Sequence, residues 1–284
     1  MIKKRYLFIC FALIIICLSG YIVFDNQNIK TTRFTYYSNK IGEAFDGYKV
    51  CFITDFHNKG NYEKVINSVK STNPDIICIV GDLVDMNTTD FSNAISLVKG
   101  LTEITDVYYS YGNHEVWSTS LTSTKKPIVE EMLKDTDVIF MNDSVKTIER
   151  DGDKLNIIGY GDDVYDDFDG LFRVKAEQRL KNLYNTLDKT VPSILMLHRA
   201  QYFDVAANLG FDVVLSGHLH AGLVNIKGVR EYVINKHFIT SKYVKGEYKE
   251  EDSVMYLSAG LAGKGIIPRI FNTPEICVVE IKSK

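Results

Sequence analysis

The sequence predicts an α/β fold: two packed sheets flanked by helices in one domain, behind a single apolar N-terminal segment. Three observations predict it. Through the first half, short apolar runs alternate with segments of helical spacing. In the second half, hairpin signals mix with a few helices. Residues 6–24 carry no charge at all. A chain that alternates strand and helix and then turns to hairpins buries its apolar faces most simply as two sheets with helices outside.

Residues 6–24 (YLFICFALIIICLSGYIVF) come first. At about 1.5 Å per residue they nearly span a hydrocarbon core of roughly 30 Å. Lys3, Lys4 and Arg5 precede the run and Asp25 follows it. The positive-inside bias then puts residues 1–5 in the cytoplasm as a short tail and the rest of the chain outside. No small-x-small cleavage site is evident around Ser19 and Gly20, and the run is long for a signal-peptide core. The expectation is a retained single-pass anchor in the cell membrane, with the lipid bilayer as partner of residues 6–24.

Residues 25–47 read as a polar linker and a first strand, the strand being the β-branched and aromatic stretch 31–38. Residues 48–284 form the main domain. Residues 48–54 are a strand, and residues 62–70 a helix with Val65, Ile66 and Val69 on one face. The apolar run 75–80 suits a strand buried on both faces. A helix over 91–101, a strand over 106–111 and a short helix over 127–134, with Pro127 at its start, follow. Strands over 144–150 and 154–160 join through Asp151-Gly152-Asp153, a hairpin turn signal. Helices are expected over 172–187 and 202–209, and strands over 193–197, 212–215, 231–239, 253–257 and 275–281.

The 284 residues are 45% hydrophobic and 24% charged, which excludes a disordered chain. Lys+Arg number 33 against 36 Asp+Glu, and part of the positive charge sits in the N-terminal tail. Such a domain has no basic footprint for long nucleic acid. With 5 cysteines no disulfide scaffold is implied; Cys51, Cys78 and Cys277 lie in apolar strands and read as buried thiols.

Polar residues punctuate five strand ends. They are Asp55-Phe56-His57, Gly81-Asp82-Leu83-Val84-Asp85, Gly112-Asn113-His114-Glu115, His198, and Gly217-His218-Leu219-His220. Each has an ordinary reading when taken singly. Gly-Asp is a turn with a helix cap, Gly-Asn-His-Glu a type I′ turn, a lone histidine a satisfied core residue. None of these explains why one ordered set falls at five strand ends, where α/β sheets bind their ligands. Imidazole and carboxylate together suit borderline divalent metals such as Zn, Mn and Fe.

Other segments carry less. Residues 161–170 hold five Asp but do not keep the EF-hand register. Residues 260–265 (GLAGKG) lack the Ser or Thr of a phosphate-binding loop and read as a turn passing close to the strand ends. The Ser/Thr-rich stretch 118–124 reads as a lip, His237 as a surface residue, and Glu115 as a support rather than a ligand.

The order of the five motifs resembles the calcineurin-like metallophosphoesterase superfamily, and within it the membrane-associated bacterial YkuE-like branch. The resemblance covers roughly residues 48–281, and the closing stretch 268–276 (PRIFNTPEI) resembles that branch too. It implies a four-layer α/β/β/α sandwich of two mixed sheets. It implies two divalent metal ions, Mn, Zn or Fe. Asp55, His57 and His220 would hold the first, Asn113, His198 and His218 the second, with Asp82 bridging. His114 would act on the scissile phosphate as a catalytic residue, oriented by Asp85. The implied activity is hydrolysis of phosphomonoester or phosphodiester and pyrophosphate bonds, on a phosphate ester that is lipid-linked or part of the envelope. A nucleotide phosphodiesterase or nuclease on the same scaffold, and a non-catalytic metal-binding sensor, are the alternatives. Phe56, Leu219 and Ala221 stand where Leu, Thr and Gly are commoner; these departures leave the ligands intact and fall in loops that touch substrate.

Overall fold

Alternate residues of a strand face opposite ways, and in the central strands of this chain both faces are buried. The computed structural model describes residues 2–119, 128–162, 171–230, 232, 241–263 and 268–284. Among these, the strands form two six-stranded sheets. The first contains β1 (Lys30–Ser38), β2 (Tyr48–Ile53), β3 (Ile76–Val80), β4 (Val107–Ser110), β5 (Ile139–Phe140) and β12 (Glu275–Ser283). Its order is β1-β12-β2-β3-β4-β5. The second contains β6 (Ser144–Arg150), β7 (Asp153–Tyr160), β8 (Ser193–Arg199), β9 (Val213–Gly217), β10 (Gly246–Glu250) and β11 (Ser253–Leu257), in the order β10-β11-β9-β8-β7-β6. Both sheets mix parallel and antiparallel pairs.

Three apolar clusters separate four layers. Val50 and Phe52 of β2 meet Ile194 and Met196 of β8 between the sheets. Cys51 and Ile53 point the other way, onto Val65 and Val69 of α2 (Tyr62–Lys70) and Leu97 and Val98 of α3 (Ser92–Thr102). Two short helices follow, α4 (Asn113–Thr119) and α5 (Ile128–Met132). On the far side, Leu195 and Leu197 join Leu180 of α6 (Leu171–Asn185) and Ala206 of α7 (Phe203–Leu209). The expected α/β/β/α sandwich is therefore the observed one. Cys51, Cys78 and Cys277 are buried free thiols within it.

The apolar run lies in α1 (Ile2–Gln27), whose stretch Phe8–Gln27 is long and apolar enough to cross a membrane. Its large side chains are mostly exposed, Phe8 and Ile16 among them. Helix α1 runs through Gln27 and β1 begins at Lys30, so only Asn28 and Ile29 remain of the expected linker. Strand β1 pairs in parallel with β12 at the other end of the chain.

Three further elements differ from expectation. The two-residue β5 and the charged edge strand β10 carry too little apolar periodicity to be read as strands. Val229, Arg230 and Tyr232 are helical, so the strand expected from Glu231 does not begin there. Pro127, the lip residues 120–124, most of the acidic loop 161–170, residues 233–239 with His237, and Lys264 and Gly265 lie outside the described residues.

Candidate metal centre

Strands β2, β3 and β4 run parallel, as do β8 and β9, so their exits gather at one rim. The chain leaves them sharply. Asp55, His57, Asp82, His218 and His220 all have positive φ, between 47° and 73°. For residues with a Cβ that conformation costs about 1–2 kcal/mol each, and it is tolerated where the surroundings over-determine it. Here the loops are laced together. The Asp55 N–H donates to Gly81 O at 3.1 Å, His57 N–H to Asp82 O at 3.0 Å, and His218 N–H to Asp55 Oδ2 at 3.2 Å. Thr54 Oγ1 donates to Val80 O at 2.7 Å.

Glu115 is the buried support of two of these loops. Its Oε2 accepts the N–H of Asp82 at 2.9 Å and of Gly112 at 2.7 Å; its Oε1 accepts Val84 N–H at 3.2 Å. Burial pushes its carboxyl above the usual range, with the neighbouring Asp82 adding to the effect. Glu115→Gln turns an amide N–H₂ toward one of those donors. Leaving a buried donor unmatched costs about 1–3 kcal/mol, so denaturant unfolding should show a loss of that size. A variant as stable as the parent would contradict this reading of Glu115.

Close backbone approach completes the frame. A Cβ on Gly112 would lie 2.3 Å from Asp82 Oδ1. A Cβ on Gly260, which has φ 73°, would lie 2.6 Å from Asp55 Oδ2. The stretch beginning at Gly260 therefore does pass against the strand ends, as its composition suggests.

The side chains converge. The ligand atoms of Asp55, His57 and His220 lie within 4.8 Å of one another, as do those of Asp82, His198 and His218. A third group of the same reach joins His57, Asp85 and His114. Asp82 Oδ2 sits at the junction. It lies 3.2 Å from His198 Nε2, 3.8 Å from His57 Nε2 and 3.9 Å from His114 Nε2. On the first side, His220 Nε2 is 3.5 Å and His57 Nε2 4.0 Å from Asp55 Oδ1. The His198 and His218 rings are 5.2 Å apart. Asn113 is buried at the start of α4, its Oδ1 without a hydrogen-bond partner.

The polar groups fit a divalent cation better than they fit one another. Asp55 Oδ1 and Asn113 Oδ1 are buried with no hydrogen bond, a condition that normally costs free energy. Burial pulls the His57 imidazole down to about 4 and holds His218 and His220 well below the usual range, which favours the neutral form that binds metal. Burial pushes the Asp55 carboxyl up to about 6. Burial works the same way on Asp82, but His198, His114 and His57 outweigh it and keep the carboxyl well below its usual range. Burial would lower His198, yet Asp82 holds it up to about 10. Imidazole nitrogens with carboxylate and amide oxygens form the donor set of Zn, Mn or Fe.

His114 and Asp85 differ from the other residues in exposure. Their side chains are 21% and 41% exposed, against 1% for His198 and 2% for Asp82. His114 Nδ1 accepts the backbone N–H of Met86 at 3.1 Å. That bond puts the proton of the neutral ring on Nε2. Asp85 Oδ2 stands 3.8 Å from His114 Nδ1 and 3.7 Å from His57 Nδ1, beyond hydrogen-bond reach of either. The tautomer of His114 is thus set by the backbone of Met86, where the sequence reading gave the orientation to Asp85.

Arg269 and Asn272 escaped the sequence reading. Both are buried; Arg269 Nε donates to Ala262 O, the carbonyl that also faces His220 Nδ1, and Asn272 Nδ2 donates to His220 O. Their signal was the closing stretch 268–276, which has no periodicity to assign it a role.

A family model, calcineurin-like phosphoesterase, matches residues 48–222. An uncharacterised metallophosphoesterase of Campylobacter jejuni is 27% identical over 285 residues, covering 96% of this chain and 70% of its own. The metallophosphoesterase YkuE of Bacillus subtilis is 24% identical over 90% of this chain and 86% of its own. The UDP-2,3-diacylglucosamine pyrophosphatase LpxG of Chlamydia trachomatis is 23% identical over 68% of this chain, which spans 56% of that protein. The superfamily expected from the strand-end motifs is the one found: the chain belongs to the calcineurin-like phosphoesterase family, metal-dependent hydrolases of phosphoric esters.

Proposed function

We propose that the chain is a membrane-anchored phosphoesterase that works with two divalent cations. Asp55, His57 and His220 would hold the first and Asn113, His198 and His218 the second, with Asp82 shared. The observation that carries this reading is Asp82 Oδ2, set within 4 Å of imidazole Nε2 atoms from both groups of ligands. When bound, a pair of cations supplies acidified water and neutralises charge on the phosphoryl oxygens.

The remaining chemistry belongs to the chain. His114, half-buried with its proton on Nε2, is the hydrogen-bond donor that reaches the scissile phosphate and stabilises the transition state. Asp85 is a positioning residue on the solvent side of His57 and His114, acting through its charge.

The substrate is a phosphate ester carried on a lipid or in the cell envelope. Two features support this: the apolar helix α1 directly before the domain, and the likeness to a pyrophosphatase named for a diacylglucosamine substrate. Lys3, Lys4 and Arg5, ahead of the apolar stretch of α1, support a domain outside the membrane. The test uses the full chain in detergent with Mn²⁺. It compares phosphomonoesters, phosphodiesters, nucleotides and lipid-linked diphosphates, before and after chelation. The expected result is hydrolysis that chelation abolishes and Mn²⁺ restores, fastest on a lipid-linked ester. Absence of metal-dependent hydrolysis across the panel would overturn the proposal.

A further inference from the structure

Arg269 is a fully buried guanidinium, and among the described residues it makes no ion pair. Burying an unpaired cation is costly, so its hydrogen bonds matter. Its Nε donates to Ala262 O at 2.9 Å, and its Nη2 donates to Ala259 O at 2.5 Å and also to Ala262 O. The same Ala262 O is 3.1 Å from His220 Nδ1. That contact holds the ring proton on Nδ1 and leaves the Nε2 lone pair facing Asp55, the arrangement in which an outer carbonyl orients a metal-binding imidazole. The loop also holds Asp55, because Ala262 N–H donates to Asp55 O at 2.8 Å and Leu261 N–H to Thr54 O at 3.1 Å. Asn272 Nδ2 donates to His220 O at 2.8 Å.

What fixes Arg269 is the foot of α1. Asn26 Nδ2 donates to Arg269 O at 2.7 Å, and Arg269 N–H donates to Asn26 Oδ1 at 2.9 Å. Thr273 Oγ1 donates to Asp25 Oδ1 at 2.6 Å, and Lys30 N–H to Pro274 O at 2.8 Å. The Tyr21 and Phe271 rings meet at 5.8 Å. The last turn of the apolar helix is therefore stitched to the segment that supports one side of the candidate centre.

We propose that Asn26 and Arg269 are positioning residues for His220, so that the end of the N-terminal helix is part of the frame that holds the first cation. This rests on the two-cation reading above. It places the centre at the foot of the helix, next to the surface where a lipid-borne ester would arrive.

The test is Mn²⁺ binding to the full chain in detergent, followed by paramagnetic resonance, for the parent, Asn26→Ala, Asn26→Asp and Arg269→Lys. The loss of an outer support weakens metal binding by about 10–100-fold. Asn26→Ala should weaken one ion by about tenfold and leave the other unchanged. The coupled two-ion signal should give way to a single-ion signal at limiting Mn²⁺. At saturating Mn²⁺ the KM for a soluble phosphodiester should match the parent. Asn26→Asp keeps the acceptor for Arg269 N–H and should fall between parent and Asn26→Ala, with Arg269→Lys at least as impaired as the alanine variant. Both ions bound by Asn26→Ala as tightly as by the parent would overturn the proposal. So would a lower melting temperature with both ions weakened equally, because that marks a merely structural role. A parent that binds no pair of ions would instead overturn the two-cation reading itself.

Discussion

Asp82→Asn should strip the chain of bound metal and of turnover together. Asp82 is where the two groups of ligands meet, with Oδ2 facing His57, His114 and His198. The amide keeps the shape and can still accept His114 N–H, which Asp82 Oδ1 takes at 2.9 Å. The fold should therefore survive. What is lost is the one negative charge shared by both sites. Outer supports cost about 10–100-fold when removed, so a shared ligand should cost more than a hundredfold in turnover. Elemental analysis and initial rates on the same preparation check this, and a variant with parental metal content and rate would refute the shared role.

His114→Ala should part the two properties. His114 belongs to neither of the two ligand groups assigned to the cations, and it is more exposed than their residues. Both ions should stay bound while turnover falls about 10²–10³-fold, the range that loss of one transition-state hydrogen-bond donor costs. Metal content equal to the parent with a rate near the parent's would remove His114 from the chemistry.

The architecture was legible where burial leaves a mark on sequence. Continuous apolar runs such as residues 76–80 and the helical spacing in 62–70 identify their elements, because their side chains face the core. The rim was legible because histidine, aspartate and asparagine at the ends of apolar runs have no packing reason to be there. Strand β10 was not, since an edge strand with alternate exposed charges resembles a loop. The pairing of β1 with β12 joins opposite ends of the chain, and nothing local announces it. The support of the centre was illegible for the same reason. Glu115 works by accepting backbone N–H groups of Asp82 and Val84 from the loop after β3, and Asn26 reaches Arg269 across nearly the whole sequence. Such bonds are made by the fold, not by spacing along the chain. Asp85 shows the converse: the family resemblance implied that it orients His114, while the turn brings the Met86 N–H to His114 Nδ1.

The most direct measurement is anomalous diffraction from crystals of the chain grown with Mn²⁺. The account predicts two peaks, about 3.5–4 Å apart as in paired-metal sites, one against Asp55, His57 and His220 and the other against Asn113, His198 and His218, with Asp82 touching both. A single peak, or ions bound away from Asp82, would contradict it.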